Sequence, residues 1–216
     1  RCALPILVRA LGELWLNGTL VEHVVASLQR IVPGWIIGTA AGLAIGLAMG
    51  IFSAARAAGL PIVSALFPIP KIALLPLLIL WFGIGEPSKV ATIALGVFFP
   101  MAIATYSGVD QVPRTLIRMA QSFDVPAFAI VGKVILPGAL PGILAGVRIS
   151  ASIGLALVVA AEMIGAEFGI GALILTAGNL MRTEDLLAGV CLLSVLGVAV
   201  GLAVSAAERR LLGWRH

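Results

Sequence analysis

Three ionisable residues stand inside long apolar runs: Lys71 in PIPKIALLP, Arg148 in LAGVRISAS and Glu162 in VVAAEMIGA. A charge at the centre of a hydrocarbon layer costs roughly 3 kcal/mol, so such residues face a cavity or a partner group. All three are candidates for lining a solute path. Lys71 suits an anion, because three prolines break the helix around it and irregular backbone at membrane depth either lines a cavity or is buried in protein. Its other readings are snorkelling, or pairing with an acid such as Glu162. Glu162, near the end of its run, gates the path, contacts a partner, or closes a helix end by a hydrogen bond. Arg148 lines the path or reaches back to headgroups.

Nothing else in the sequence suggests bond-making chemistry, and no catalytic, cofactor or metal site is read. There is no phosphate-cradling G-x-x-x-x-G-K-[ST], since the one Gly–Lys pair, Gly132–Lys133, is followed by Val134. The two histidines, His23 and His216, lie near the ends, and Cys2 and Cys191 are far apart. A membrane Ser–His hydrolase and a Cys/His metal cluster are therefore not supported.

The elements that must carry these residues follow from composition. Of 216 residues, 61% are hydrophobic and 11% charged; a soluble domain is about half apolar and a quarter charged. The mean hydropathy is +1.15. The chain reads as a single all-α polytopic membrane domain over 1–216. About 20 residues cross the layer, and five spans are expected: 25–53, 60–82, 89–109, 138–165 and 185–207. Residues 5–23 alternate apolar and charged positions and read as an amphipathic segment at the interface.

Lysine and arginine counts orient the bundle. With the C-terminus cytoplasmic, seven basic residues fall inside, four outside and three within spans, as the positive-inside rule favours. The scattered positive charge reports topology, not a nucleic-acid footprint. On this topology Glu86, Lys89, Glu167 and Glu184 lie in or beside outer connectors, either as a solvated face or as a docking face. Trp81 and Phe82 read as part of the outer aromatic belt. The first span carries a ladder, Gly34, Gly38, Gly42, Gly46 and Gly50. Small residues four apart let a second backbone approach closely, within the chain or at a dimer or gating contact.

One long polar stretch, 110–137, interrupts the apolar pattern on the cytoplasmic side. Pro113 suits a helix start, Asp124, Val125 and Pro126 a turn, and a second short helix is expected over 127–135 before Pro137 and Pro141 open the next span. Met119, Phe123 and Val125 together form an exposed apolar tip suited to a groove on a partner.

This stretch resembles the loop of permease subunits of binding-protein-dependent ABC importers, whose signature reads E-A-A, three residues, G, nine residues, I-x-L-P. Here Arg118, Met119 and Ala120 stand on E-A-A, Asp124 on the glycine, and Val134, Leu136 and Pro137 on the last motif. The segments LLPLLILWFGIGEPSKVATIALGVFFP, LPGALPGILAGVRISASIGLALVVAAEMIGAEFGIGALI and NLMRTEDLLAGV resemble the branch that imports nitrate, bicarbonate, taurine and alkanesulfonates. That branch sometimes takes thiamine-precursor pyrimidines or aromatic acids, and the likeness covers essentially the whole chain. It implies a non-catalytic translocation subunit of a bacterial inner-membrane importer of a small, anionic solute. It further implies a sixth span ahead of the first, two ATPase subunits that bind ATP and Mg, a second permease copy or close paralogue, and an extracytoplasmic binding protein. The loop, with Arg118, Met119, Ala120, Ser122, Phe123, Asp124, Val125, Pro126, Leu136 and Pro137, would be the coupling helix that enters a cleft on the ATPase. Arg118 departs from a glutamate, so a contact made by that acid is lost or reversed. Family drift and a rewired ATPase partner both remain open. The rival readings are a stand-alone secondary transporter or channel, and a non-transporting assembly or sensor subunit.

Overall fold

A computed structural model describes residues 11–213. Among the described residues there is no strand. Helix α1, Thr19–Ile51, begins after Gly18, whose φ of +73° turns the chain out of a preceding helical stretch, 11–16. The predicted interfacial segment thus ends earlier than expected. Its residues 5–10 lie outside the described ones, and 19–23 already belong to α1. The 33 residues of α1 extend about 50 Å at 1.5 Å per residue. That exceeds the hydrocarbon layer, and so polar Glu22, Gln29 and Arg30 extend the helix without weakening its apolar stretch.

The second predicted span is broken. Helix α2, Ser53–Leu66, and a 3₁₀ turn, Lys71–Leu74, leading into α3, Leu75–Phe82, meet at 89°. Pro68 and Pro70 stand between them; each removes an N–H donor and disfavours helix in the residue before it. Helix α4 follows, Glu86–Asp110, then α5, Arg114–Ser122, α6, Ala127–Ile130, and a π turn, Val131–Ile135. The last three helices are α7, Leu136–Met163, α8, Ile170–Asn179, and α9, Thr183–Leu211. Four helical segments and the bent pair are long and apolar enough to cross a membrane, which agrees with the five expected spans. The break expected between the short helix at 127–135 and the next span is absent. The chain is helical without a break from Ala127 to Met163. The π turn precedes Pro137, whose ring lacks an N–H and would crowd the carbonyl four residues earlier in a regular helix.

Helix α4 is the centre of the bundle. The glycine ladder of α1 packs along it. Gly34 faces Ile93, Gly38 faces Ala94 and Val97, Gly42 faces Phe98 and Met101, Gly46 faces Ala102 and Thr105, and Gly50 faces Val109. A Cβ added at Gly42 would lie 2.6 Å from the Phe98 carbonyl oxygen, and one at Gly46 2.6 Å from that of Ala102. All five rungs therefore serve packing within the chain. The register rises together on both helices, so α1 and α4 run parallel and the bent pair between them crosses the layer once. Helix α7 runs antiparallel on another face of α4, with Gly142 against Gly108 and Gly154 near Val97. Gly197 and Gly201 of α9 have no atom within 4 Å of where a Cβ would stand.

Candidate functional site

Two polar constructions lie at opposite ends of α4, separated by about 36 Å along its axis.

At the Asp110 end, the 110–137 stretch folds as expected into two short helices across a turn. The turn is a Schellman closure. The Val125 N–H donates to the Ala120 carbonyl (3.2 Å) and the Asp124 N–H to that of Gln121 (3.0 Å). Asp124, on the signature's glycine position, adopts φ +53°, a left-handed conformation that Asp tolerates better than most residues. Pro126 follows, where no further helical N–H is required. Ser122 Oγ donates to the Met119 carbonyl at 2.8 Å. Phe123 is 75% exposed and Met119 56%. Val125 differs from expectation. As the residue after the left-handed position it folds back beside Ala120 onto the core cluster of Val112, Ile130 and Ile135. Phe128, 80% exposed, completes the apolar tip in its place. Leu136 is exposed and Pro137 half-buried in the first turn of α7.

Between this segment and the α1–α2 junction lies a cleft of about 490 Å³, walled by Arg56, Asp110, Arg114 and Arg118 over Val112 and Ile130. Arg56 closes the C-terminus of α1, donating to the Met49 and Gly50 carbonyls at 3.2 and 3.1 Å. It also stacks 5.3 Å from the Tyr106 ring centroid and reaches Asp110 at 3.5 Å. Arg114 reaches the same carboxylate at 4.0 Å.

At the other end, Arg30 of α1 is buried and held by two acids. It grips Glu86 through two bonds, Nε to Oε2 at 2.5 Å and Nη2 to Oε1 at 2.8 Å. Its Nη1 donates to Glu162 Oε1 (2.9 Å) and to the Phe168 carbonyl (2.6 Å). Glu162 is fully buried. It also accepts from Ser27 Oγ (2.8 Å) and from the Gly171 N–H (2.8 Å), while the Ile170 N–H donates to Ser27 Oγ (2.9 Å). The Gly169 N–H donates to His23 Nδ1 at 2.9 Å. Three successive N–H groups at the start of α8, those of Gly169, Ile170 and Gly171, are thereby satisfied by side chains of α1 and α7, partners that a helix N-terminus requires.

Among the predicted path residues, the structure brings no two together. Lys71 lies in the bend, where its ammonium donates to the Leu66, Phe67 and Ile69 carbonyls (2.8, 2.9 and 2.6 Å), 4.4 Å from the Phe99 ring centroid. An ammonium has three N–H donors, and here all three are engaged. Glu162 pairs with Arg30, not Lys71. Arg148 bonds to Glu208 and Ser205 of α9. Lys89 is buried and not part of a solvated face. The sequence reading missed the Arg30 network. The signal available was one arginine near the end of a span, with Glu86 and Glu162 at the same depth on the expected topology.

A bundle of broken and unbroken apolar helices, with an amphipathic helical hairpin at one end, is the architecture of a transport-system membrane subunit. The chain belongs to the family described as the binding-protein-dependent transport system inner membrane component, which matches residues 38–213. The taurine transport system permease protein TauC of Escherichia coli is 38% identical over 200 residues, covering 93% of this chain and 73% of that one. The aliphatic sulfonates transport permease protein SsuC of Bacillus subtilis, itself a provisional assignment, is 37% identical over 210 residues, with 97% and 76% covered. In fold, the chain is similar to a subunit of the MetNI methionine ABC transporter in an inward-facing conformation. The TM-score is 0.78 at 22% identity, over 91% of this chain and 97% of that one.

Proposed function

We propose that this chain is the translocation subunit of an ATP-driven importer and passes a small sulfonate, taurine or a related alkanesulfonate, into the cytoplasm. Relatives named for taurine and aliphatic sulfonates support the substrate class; nitrate and bicarbonate have less behind them. The 110–137 hairpin is the coupling surface, facing the cytoplasm together with the C-terminus. The chain catalyses nothing itself. ATP and Mg are bound by two partner ATPase subunits, a second permease copy or close paralogue completes the membrane portion, and an extracytoplasmic binding protein delivers the solute near the Arg30 end.

The observation that carries this reading is the unbroken helix from Ala127 to Met163. A displacement of the exposed hairpin is handed directly to α7, whose far end is bonded through Glu162 to α1 and α8. Lys71, at the bend of the broken span, contributes positive charge to a path between two copies, although its donors are engaged within the chain. Arg148 and Glu162 act as fasteners between helices.

The test is purification of the tagged chain in mild detergent from its native membrane, with co-purifying ATPase activity and taurine uptake measured together. Wild type brings an ATPase subunit and supports uptake, and Phe123→Asp releases the ATPase and abolishes uptake. A chain that purifies without ATP hydrolysis under several gentle conditions refutes the proposal and favours a stand-alone transporter.

A further inference from the structure

The hairpin surface combines two chemistries that do not belong together unless something covers both. Met119, Phe123 and Phe128 are exposed apolar side chains. Arg118 shares the helix with Met119, is exposed, and lines the 490 Å³ cleft. That cleft holds three arginines, Arg56, Arg114 and Arg118, against the single carboxylate of Asp110. Asp110 is already shared by Arg56 at 3.5 Å and Arg114 at 4.0 Å. No ion pair among the described residues compensates Arg118.

A partner that buries the apolar tip also strips water from this guanidinium. Desolvating an unpaired charge is costly, and the cost is offset only by an ionised acceptor with good geometry. A guanidinium is matched best by a carboxylate, which it engages through two parallel bonds. We infer that the ATPase subunit presents an acidic side chain to Arg118 at the mouth of this cleft, beside an apolar pocket that takes Phe123 and Phe128. The inference rests on the coupling role assigned to the hairpin and adds to it the charge of the partner's contact. It also fixes the sign of that contact: the basic group lies on the membrane subunit and the acid on the ATPase.

The experiment holds the importer's permease dimer in lipid nanodiscs and titrates the purified ATPase subunit at low and high salt. Wild type binds, and binding weakens as salt rises. Arg118→Glu binds at least about tenfold more weakly and Arg118→Ala less severely so, while Arg118→Lys, which keeps the charge but not the two parallel bonds, falls between Arg118→Ala and wild type. One Asp or Glu to Lys substitution on the membrane-facing surface of the ATPase restores binding to Arg118→Glu and weakens binding to wild type. Arg118 is exposed, so thermal unfolding of the variants without ATPase matches wild type. Equal affinity and equal salt dependence for wild type and Arg118→Glu overturn the acidic contact while leaving the coupling role intact. So does a loss that appears only in nanodiscs containing anionic lipid, which assigns Arg118 to headgroups. Failure of wild type to bind any ATPase overturns the coupling role and the acidic contact together.

Discussion

Arg30 and Glu162, 132 residues apart, meet at 2.9 Å with side chains 5% and 0% exposed. Glu86, gripped by the same guanidinium, remains 59% exposed. The two acids hold one arginine in very different surroundings, so removing the arginine and removing the exposed acid have unequal consequences.

Breaking a buried pair from one side leaves an uncompensated charge and costs about 3–5 kcal/mol. Arg30→Met is therefore expected to destabilise strongly, because it abandons Glu162 in a dry site. Glu86→Gln acts on a solvated carboxylate and is expected to cost under about 1 kcal/mol. Thermal unfolding of the two variants in one detergent checks the order; equal midpoints would refute it.

The glycine ladder predicts a position-specific intolerance. Gly42→Val and Gly46→Val push a side chain into the α4 backbone, where the neighbours are the Phe98 and Ala102 carbonyls. Overpacking of this kind costs about 1–3 kcal/mol or more, read as lost folded yield. Gly197→Ala, which meets nothing within 4 Å, leaves the yield unchanged.

Asp124 supports a conformational prediction. Asp124→Gly relieves the left-handed conformation and keeps or slightly raises stability, while Asp124→Val opposes it by about 1–2 kcal/mol. The readout is ATPase co-purification, which is retained by the glycine variant and reduced by the valine variant as α5 loses its fixed exit.

Lys71→Met removes a cation that closes the end of α2 and takes one donor from each of three carbonyls, of which Leu66 keeps the Ile69 N–H. The loss of such bonds is worth about 1–3 kcal/mol. If Lys71 also attracts the travelling anion, uptake by Lys71→Met falls further than its folded amount does. Uptake that tracks folded amount limits Lys71 to holding the bend.

Much of this was readable in the sequence. Run length and proline placement located five crossings, and the Asp124–Val125–Pro126 turn follows from turn chemistry alone. The inward fold of Val125 was not readable, because it depends on the contact a Schellman closure imposes on the residue after its left-handed position. Residues 19–23 belong to α1 and not to the interfacial segment, since Glu22 lowers local hydropathy without ending the helix. The Arg30 network was hidden for a different reason. It joins residues from three helices and the Phe168 carbonyl, and no periodicity along one segment reports such a meeting. The glycine spacing announced close approach, but only the register with Ile93 through Val109 identified α4 as the neighbour.

The unbroken helix from Ala127 to Met163 has a geometric consequence. Its 37 residues make a rod about 55 Å long. Pivoting near one end by about 5° sweeps the other through about 5 Å, comparable to one helical turn. With the pivot placed at the close contact of Gly142 on Gly108, that packing stays in place, and the same 5° moves the Met163 end, about 31 Å away, by about 3 Å, as far as the length of the hydrogen bonds Glu162 makes there.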